Sequence, residues 1–332
     1  MNIGNTILAG DVGGTKTLLA LFQNHNGKPA EVKYFEYKSN DFNGLEEILS
    51  EFLHDWEGKP EAACLGIPGP VKNGIVKSTN LPWVIDEKIL SAKTGISRVK
   101  IINDLVATAY SIPHLASDEV INIKTGVLPK TPKRFVVLAP GTGLGQSFLL
   151  RDGNKNIVIP SEGGHTDFAP THAIEAELYL YLLNKFGHVS FERIISGNGL
   201  PNIFDFLVDI KKGKPEKETL DKMRNHDQAP VISEMALAGK DAVCEAALNL
   251  FVSILGAQAG NLALTFMADG GVYLAGGIPF KIISKLKEDV FVKSFLNKGR
   301  MSSLLETMPI NVITNSKAAL KGAAYFAFEM NE

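Results

Sequence analysis

The apolar positions of this chain fall first into short runs of strand length, interrupted by stretches of helical period. Ile7–Ala9, Thr17–Phe22, Val32–Tyr37, Ala62–Ile67 and Val99–Ile102 read as strands, and Leu45–Trp56, Asp86–Lys93 and Asp104–Ile112 as helices. Such alternation predicts an α/β arrangement. Farther on, helical spacing covers His172–Phe186, Leu200–Ile210, Val231–Leu237, Ala242–Phe266, Phe280–Leu296 and Lys317–Phe328. Short strands are predicted at Val272–Leu274 and Ile310–Ile313, and the Lys-, Glu- and Asp-rich stretch Ile210–Gln228 as a solvated loop with frayed helix.

Twice the pattern does something more specific. Between Ile7 and Phe22, two apolar runs flank a turn carrying Asp11, Gly13, Gly14 and Thr15. Glycines there permit positive φ and leave backbone N–H groups bare, which together make a concave anion cradle. An Asp at the rim suits a hydrated Mg²⁺, so the combination points to a nucleotide polyphosphate. An ordinary glycine-rich hairpin would read the same way. Between Phe135 and Leu150 the arrangement recurs around Gly141, Thr142, Gly143 and Gly145. The echo lies about 130 residues later, a domain length, and predicts two related halves that present their turns to a shared cleft. Two unrelated hairpins remain the alternative.

Composition narrows the class. The 332 residues are 45% apolar and 21% charged, enough for two domains of a globular protein. A net charge of −2 offers no footprint for nucleic acid or an anionic membrane. Cys64 and Cys244 sit in apolar runs far apart and read as buried hydrophobes of a reducing compartment. Met1–Thr6 has neither the basic nor the apolar region of a signal peptide, which points to the cytoplasm. Ala246–Ala268 is uncharged and long enough to span a bilayer, but Asn249, Ser253, Asn261 and Thr265 give it one polar stripe, as in a central buried helix.

Neither glycine turn is a Walker A loop, and Gly141, Gly143 and Gly145 lack the spacing of a dinucleotide fingerprint. Asn103 and Asp104 end an apolar strand and open a helix, where α/β proteins bind ligands. A carboxylate there can take the proton of an acceptor hydroxyl, and Asn103 can donate to and accept from vicinal hydroxyls. Both residues also suit a helix N-cap. Glu162, His165 and Asp167 lie in a glycine-flexed loop, Pro160–Phe168, that suits a polyol or, alternatively, a metal ion. Glu192, in the segment Gly187–Gly199, is either a surface acid or a second carboxylate closing on the ligand.

Taken together, Gly10–Thr15, Ile101–Asp104, Gly141–Gly145, Glu162–Pro170, Gly187–Gly199 and Leu274–Ile278 resemble the bacterial glucokinase family of the actin-like ATPase and sugar-kinase superfamily. The resemblance implies a two-domain actin-like (ribonuclease H-like) α/β fold with a central cleft. A small domain would comprise residues 1–114 plus 315–332, and a large domain residues 115–314. It implies ATP, Mg²⁺ and glucose as ligands, Asp104 as catalytic base, and Asn103, Glu162, His165 and Glu192 as the grip on the sugar. Gly10–Thr15 would be the ATP loop, with Asp11 holding Mg²⁺ through water. Gly141, Thr142 and Gly143 would form the second phosphate turn, and Gly276 and Gly277 the adenosine side. A homodimer that closes over glucose is implied as well.

Pro140 before the second turn and Lys16 after the first depart from the usual pattern; Lys16 either adds charge near phosphate or faces solvent. The related repressor–kinase (ROK) family carries a cysteine-rich zinc motif that this chain lacks, so that resemblance is the weaker. A kinase for another hexose or amino sugar, a non-catalytic sugar sensor or DNA-binding repressor, and an actin-type filament protein are the rival expectations.

Overall fold

Strand pairing organises the computed structural model, which describes residues 6–25, 28–78, 81–153 and 155–330. The leader-free reading of Met1–Asn5 lies outside these residues. Contacts divide the chain into two units, one of Met1–Ala116, Val158–Pro160 and Asn315–Glu332, the other of Ser117–Ile157 and Ser161–Thr314.

In the first unit β1 (Thr6–Val12), β2 (Lys16–His25), β3 (Lys28–Lys38), β4 (Ala62–Ile67) and β7 (Arg98–Asn103) form one sheet in the order β3-β2-β1-β4-β7, while β5 (Ile75–Lys77) and β6 (Val84–Asp86) make a separate ribbon. The first three strands are antiparallel neighbours, whereas β1, β4 and β7 run parallel. Period-two alternation gives this sheet two apolar faces. Leu8, Leu19, Leu21, Leu65 and Ile101 pack against the helix Leu45–Leu53 through Leu45, Ile48, Leu49 and Phe52. Ile7, Ala9, Leu18, Ala20 and Cys64 face the helices Asp104–Ser111 and Ala318–Glu329 through Ala107, Leu320, Ala323, Ala324 and Ala327.

Those two helices touch closely because Gly322 has no side chain: a Cβ there would overlap the Ala107 carbonyl. Gly322→Ala gains helix propensity but must push the helices apart, so a net loss of about 1–2 kcal/mol is expected in a denaturant titration.

The second unit repeats the topology. Here β8 (Val120–Lys124), β9 (Arg134–Pro140), β10 (Leu144–Asp152), β11 (Lys155–Ser161), β12 (Gly271–Leu274) and β13 (Ile310–Ile313) are ordered β11-β10-β9-β12-β13-β8. The hairpin β9–β10 is antiparallel, and β9, β12 and β13 run parallel, as β1–β2 and β1, β4, β7 do in the first unit. Each unit therefore carries the ribonuclease H-like topology of the actin-like ATPase fold, and the echo between the two glycine turns is a topological repeat.

The helix Ala242–Phe266 forms the centre of the second core, with Phe251, Ile254 and Leu255 inside. It is long and apolar enough to cross a membrane, yet most of its residues are buried within the unit. Asp241 caps it, accepting from the N–H groups of Val243 and Cys244 at 2.8 and 3.1 Å.

The single helix expected over Phe280–Leu296 is three pieces: Gly277–Lys281, Ile283–Leu286 and Asp289–Leu296. Ile282 (φ −106°, ψ 23°) and the extended Glu288 interrupt the turns, so that Phe291 and Phe295 can seat their carbonyls over Gly256 and Gly260. Apolar spacing continues through such breaks, and periodicity cannot see them. The strands β5, β6 and β8 hold at most two consecutive apolar residues and are not read from sequence, nor is β11, whose run Ile157–Ile159 ends at Pro160. Both cysteines are buried free thiols, and burial pushes Cys64 up and Cys244 up to about 12, as inert structural thiols require.

Candidate active site

In the first unit the chemistry gathers at the carboxyl ends of β1, β4 and β7. Register places Asp11 opposite Gly66, and Ile67 opposite Asn103, so one sheet edge aligns residues more than ninety positions apart. Gly66 makes the approach possible. A Cβ on it would press on the Ala107 side chain at 3.1 Å, and it would lie 3.6 Å from both the Asp104 Cα and the Gly10 carbonyl. A glycine inside an otherwise apolar strand signals such a close approach, and the motif reading passed over it.

Asn103 is the N-cap of Asp104–Ser111: its Oδ1 accepts from the Leu105 N–H at 2.9 Å, and its Nδ2 donates to the Gly69 carbonyl at 3.3 Å. The cap reading therefore holds, and it orients the amide while leaving a second N–H and a second lone pair for a ligand. Asp104 stands at the first helical position, where the backbone dipoles favour a negative charge, and its Oδ1 also accepts from Leu105 at 3.0 Å.

The turn between β1 and β2 is closed by the Gly13 N–H donating to the Lys16 carbonyl at 2.8 Å. Ser39 braces it, its hydroxyl donating to the Gly13 carbonyl at 2.8 Å and its N–H to the Thr15 carbonyl at 3.0 Å. Among the described residues the N–H groups of Gly14 and Thr15 find no acceptor, so the turn offers open donors to an anion. Gly10 and Val12 stand differently from the turn residues. Gly10 is a strand residue pressed by Leu65 and Leu19, and the Val12 side chain is in the core. Asp11 is half-buried, and its pKa is raised to about 7, chiefly by burial and then by the charge of Asp104, with Lys16 pulling the other way. Two carboxylates that oppose each other's ionisation fit a cation between or beside them.

In the second unit the turn between β9 and β10 is closed by the Gly141 N–H donating to the Gly143 carbonyl at 2.8 Å. The segment after Glu192 supports it: Gly197 N–H donates to the Gly141 carbonyl at 2.7 Å, and Asn198 Nδ2 to that of Thr142 at 3.3 Å. Among the described residues the Thr142 and Gly143 N–H groups have no acceptor. Glu192 Oε2 accepts from the Leu144 N–H at 2.9 Å, against Gly143, where any Cβ would collide with it. Its other oxygen lies 3.7 Å from His165 Nδ1, so Glu192 joins the turn to the loop of His165 and is not a surface acid.

Glu162 is exposed just before the 3₁₀ turn Gly163–His165, and its carboxylate has no partner among the described residues. Asp167 turns instead to His188, at 2.9 Å from Nε2. Glu162, His165 and Asp167 thus do not converge, and among the described residues no three His, Cys, Asp or Glu are grouped to hold a metal ion. Gly276 follows β12 at φ +85°, with the Pro140 carbonyl 3.0 Å from where a Cβ would sit; this brings Gly276 and Gly277 beside the second turn. Sequence reasoning missed the bracing residues Ser39, Gly69 and Asn198. Only Asn198 lay inside a motif already singled out.

The family model described as Glucokinase matches residues 8–330. Glucokinases of Nostoc sp. and Synechocystis sp. are 39% and 36% identical, over 97% and 98% of this chain and 98% of each relative. The chain belongs to the glucokinase family. The solved glucokinase of an Antarctic psychrotroph shares the whole fold, with a TM-score of 0.88 and 32% identity over 98% of this chain and 99% of that one. A ROK family glucokinase from Streptomyces griseus, solved with glucose and AMPPNP, shares the fold at a TM-score of 0.62 and 21% identity, over 98% of this chain and all of that one.

Proposed function

We propose that this protein transfers the γ-phosphoryl group of ATP to the 6-hydroxyl of glucose. The observation that supports this most is the carboxylate pair Asp11 and Asp104, set at one sheet edge beside an open-amide turn, in a chain of this family. Phosphoryl transfer needs the acceptor oxygen aimed in line and relieved of its proton, and the polyphosphate charge neutralised.

Asp104, held by its own helix N-terminus, accepts the hydroxyl proton as the O–P bond forms and ADP departs. Asn103, Glu162, His165 and Glu192 grip the ring hydroxyls, each of which needs both a donor and an acceptor. The Gly14 and Thr15 amides and the Thr142 and Gly143 amides receive phosphate oxygens, and Gly276 and Gly277 lie toward the adenosine. Asp11 would hold the Mg²⁺ of the nucleotide, and that ion would supply charge neutralisation on the phosphates. The two contact units act as a small and a large domain, in a homodimer of the cytoplasm that feeds glucose into glycolysis. Light scattering of the purified protein checks the dimer.

The deciding experiment is a coupled assay for sugar 6-phosphate with ATP, Mg²⁺ and a panel of hexoses and amino sugars. Glucose should give the highest kcat/KM; preference for another sugar moves the assignment to a kinase of that sugar, and no turnover with any of them removes it. Glu162→Gln should raise the KM for glucose about tenfold or more with Tm unchanged, because its carboxylate supports nothing else among the described residues. An unaltered KM would take Glu162 out of the sugar grip.

A further inference from the structure

Resting on that reading, we infer that Lys16 binds the donor's phosphates, and that Glu36 holds its ammonium group until the nucleotide arrives. Lys16 opens β2 immediately after the first glycine turn, and its own carbonyl closes that turn. Its stem therefore starts beside the open N–H groups of Gly14 and Thr15. Pairing sets Lys16 opposite Lys38, and Leu18 opposite both Asp11 and Glu36. By period-two alternation Asp11, Lys16, Glu36 and Lys38 share one face of the sheet.

The charge balance gives the lysine its task. Asp11 and Asp104 are both acidic, and together they would repel a polyphosphate from the very turn whose amides await it. Open amides carry only partial charge, so a full cation next to the cradle adds to the attraction beyond what the nucleotide's Mg²⁺ offsets. Lys38 stands opposite Lys16 on the same face, one strand farther from Asp11, and Lys317 is engaged over the Tyr34 ring at 3.4 Å and with Glu31 at 3.7 Å. Among the described residues the Lys16 ammonium is paired with Glu36, at 3.3 Å, and both partners are about half exposed.

An exposed pair of this kind is weak, because solvent screens it and two long side chains must be held still. A nucleotide with several negative charges outcompetes one carboxylate for the ammonium. Glu36 loses little on release: the Tyr34 hydroxyl still donates to it at 3.4 Å, and Lys38 is its neighbour on the same face. The flexible four-carbon stem and compact charge of lysine suit such an exchange of partners.

The test uses the full-length protein with Lys16→Met, Lys16→Arg and Glu36→Gln. Lys16→Met should raise the KM for MgATP about tenfold, leave the KM for glucose within twofold, and flatten the dependence of the MgATP KM on salt. Lys16→Arg should recover most of the loss, and Glu36→Gln should lower the MgATP KM two- to threefold by freeing the lysine. A MgATP KM within twofold of wild type in Lys16→Met overturns the phosphate role. A Glu36→Gln variant with unchanged or weaker MgATP binding overturns the holding role. Calorimetric titration of ATP into wild type and Lys16→Met reads the same contact without turnover. If wild type phosphorylates no hexose, the proposed reaction fails, while an ATP affinity lowered in Lys16→Met still upholds the lysine.

Discussion

Asp104→Asn is expected to lower kcat by at least about two orders of magnitude while leaving the glucose dissociation constant within a few-fold of wild type. Asparagine keeps an oxygen to accept the Leu105 N–H, so the first turn of the helix stays capped and the fold is undisturbed. What it loses is basicity. An uncapped or shifted helix would instead disturb Asn103, whose Oδ1 shares that donor, and would appear as weaker sugar binding. Steady-state kinetics combined with a glucose titration by intrinsic fluorescence separates the two. Turnover close to wild type would remove Asp104 from its role as base.

Asp11→Asn should make the ligand-free protein more stable above neutral pH while sharply weakening its use of MgATP. The sign follows from the raised pKa. The carboxyl titrates near 3.8 in the unfolded chain and at about 7 in the folded one, so between those values the folded protein holds a proton that the unfolded chain has lost. Stability from this group is therefore complete below about pH 4 and is lost as pH rises through 7. At pH 8 the ionised Asp11 faces both burial and Asp104, at a cost of about 2 kcal/mol once partial solvation is allowed for. Replacing it should raise Tm by roughly 4–8 °C at pH 8 and by little near pH 4. Differential scanning at both values measures it, and equal melting at pH 8 would contradict the strain. Selection for nucleotide binding at the expense of folding stability is the pattern expected where function needs buried charge.

Both predictions concern residues named from sequence, yet their partnership was invisible there. Asp11 and Asp104 stood out separately, each as one member of a short motif. Their electrostatic coupling depends on three parallel strands in the order β1-β4-β7 and on Gly66 between them having no side chain. Glu192 shows the same division. Its residue type left it open as surface acid or ligand group, and only the structure shows its carboxylate held by the Leu144 N–H and near His165.

Local residue order was enough for the α/β class, the two glycine turns, the strand-end Asn103–Asp104 pair and the buried character of Ala242–Phe266. Each of these rests on short-range physics: period of burial, permitted φ, and the capping of a helix by its neighbours. Long-range pairing decided the rest: which carboxylates share a sheet edge, which amides remain open, where Phe280–Leu296 breaks, and which side chains brace the turns. Register and side-chain contacts are set by packing between distant segments, as where Ile7 and Ala9 near the start meet Ala323 and Ala327 near the end, and no window along the chain contains that information.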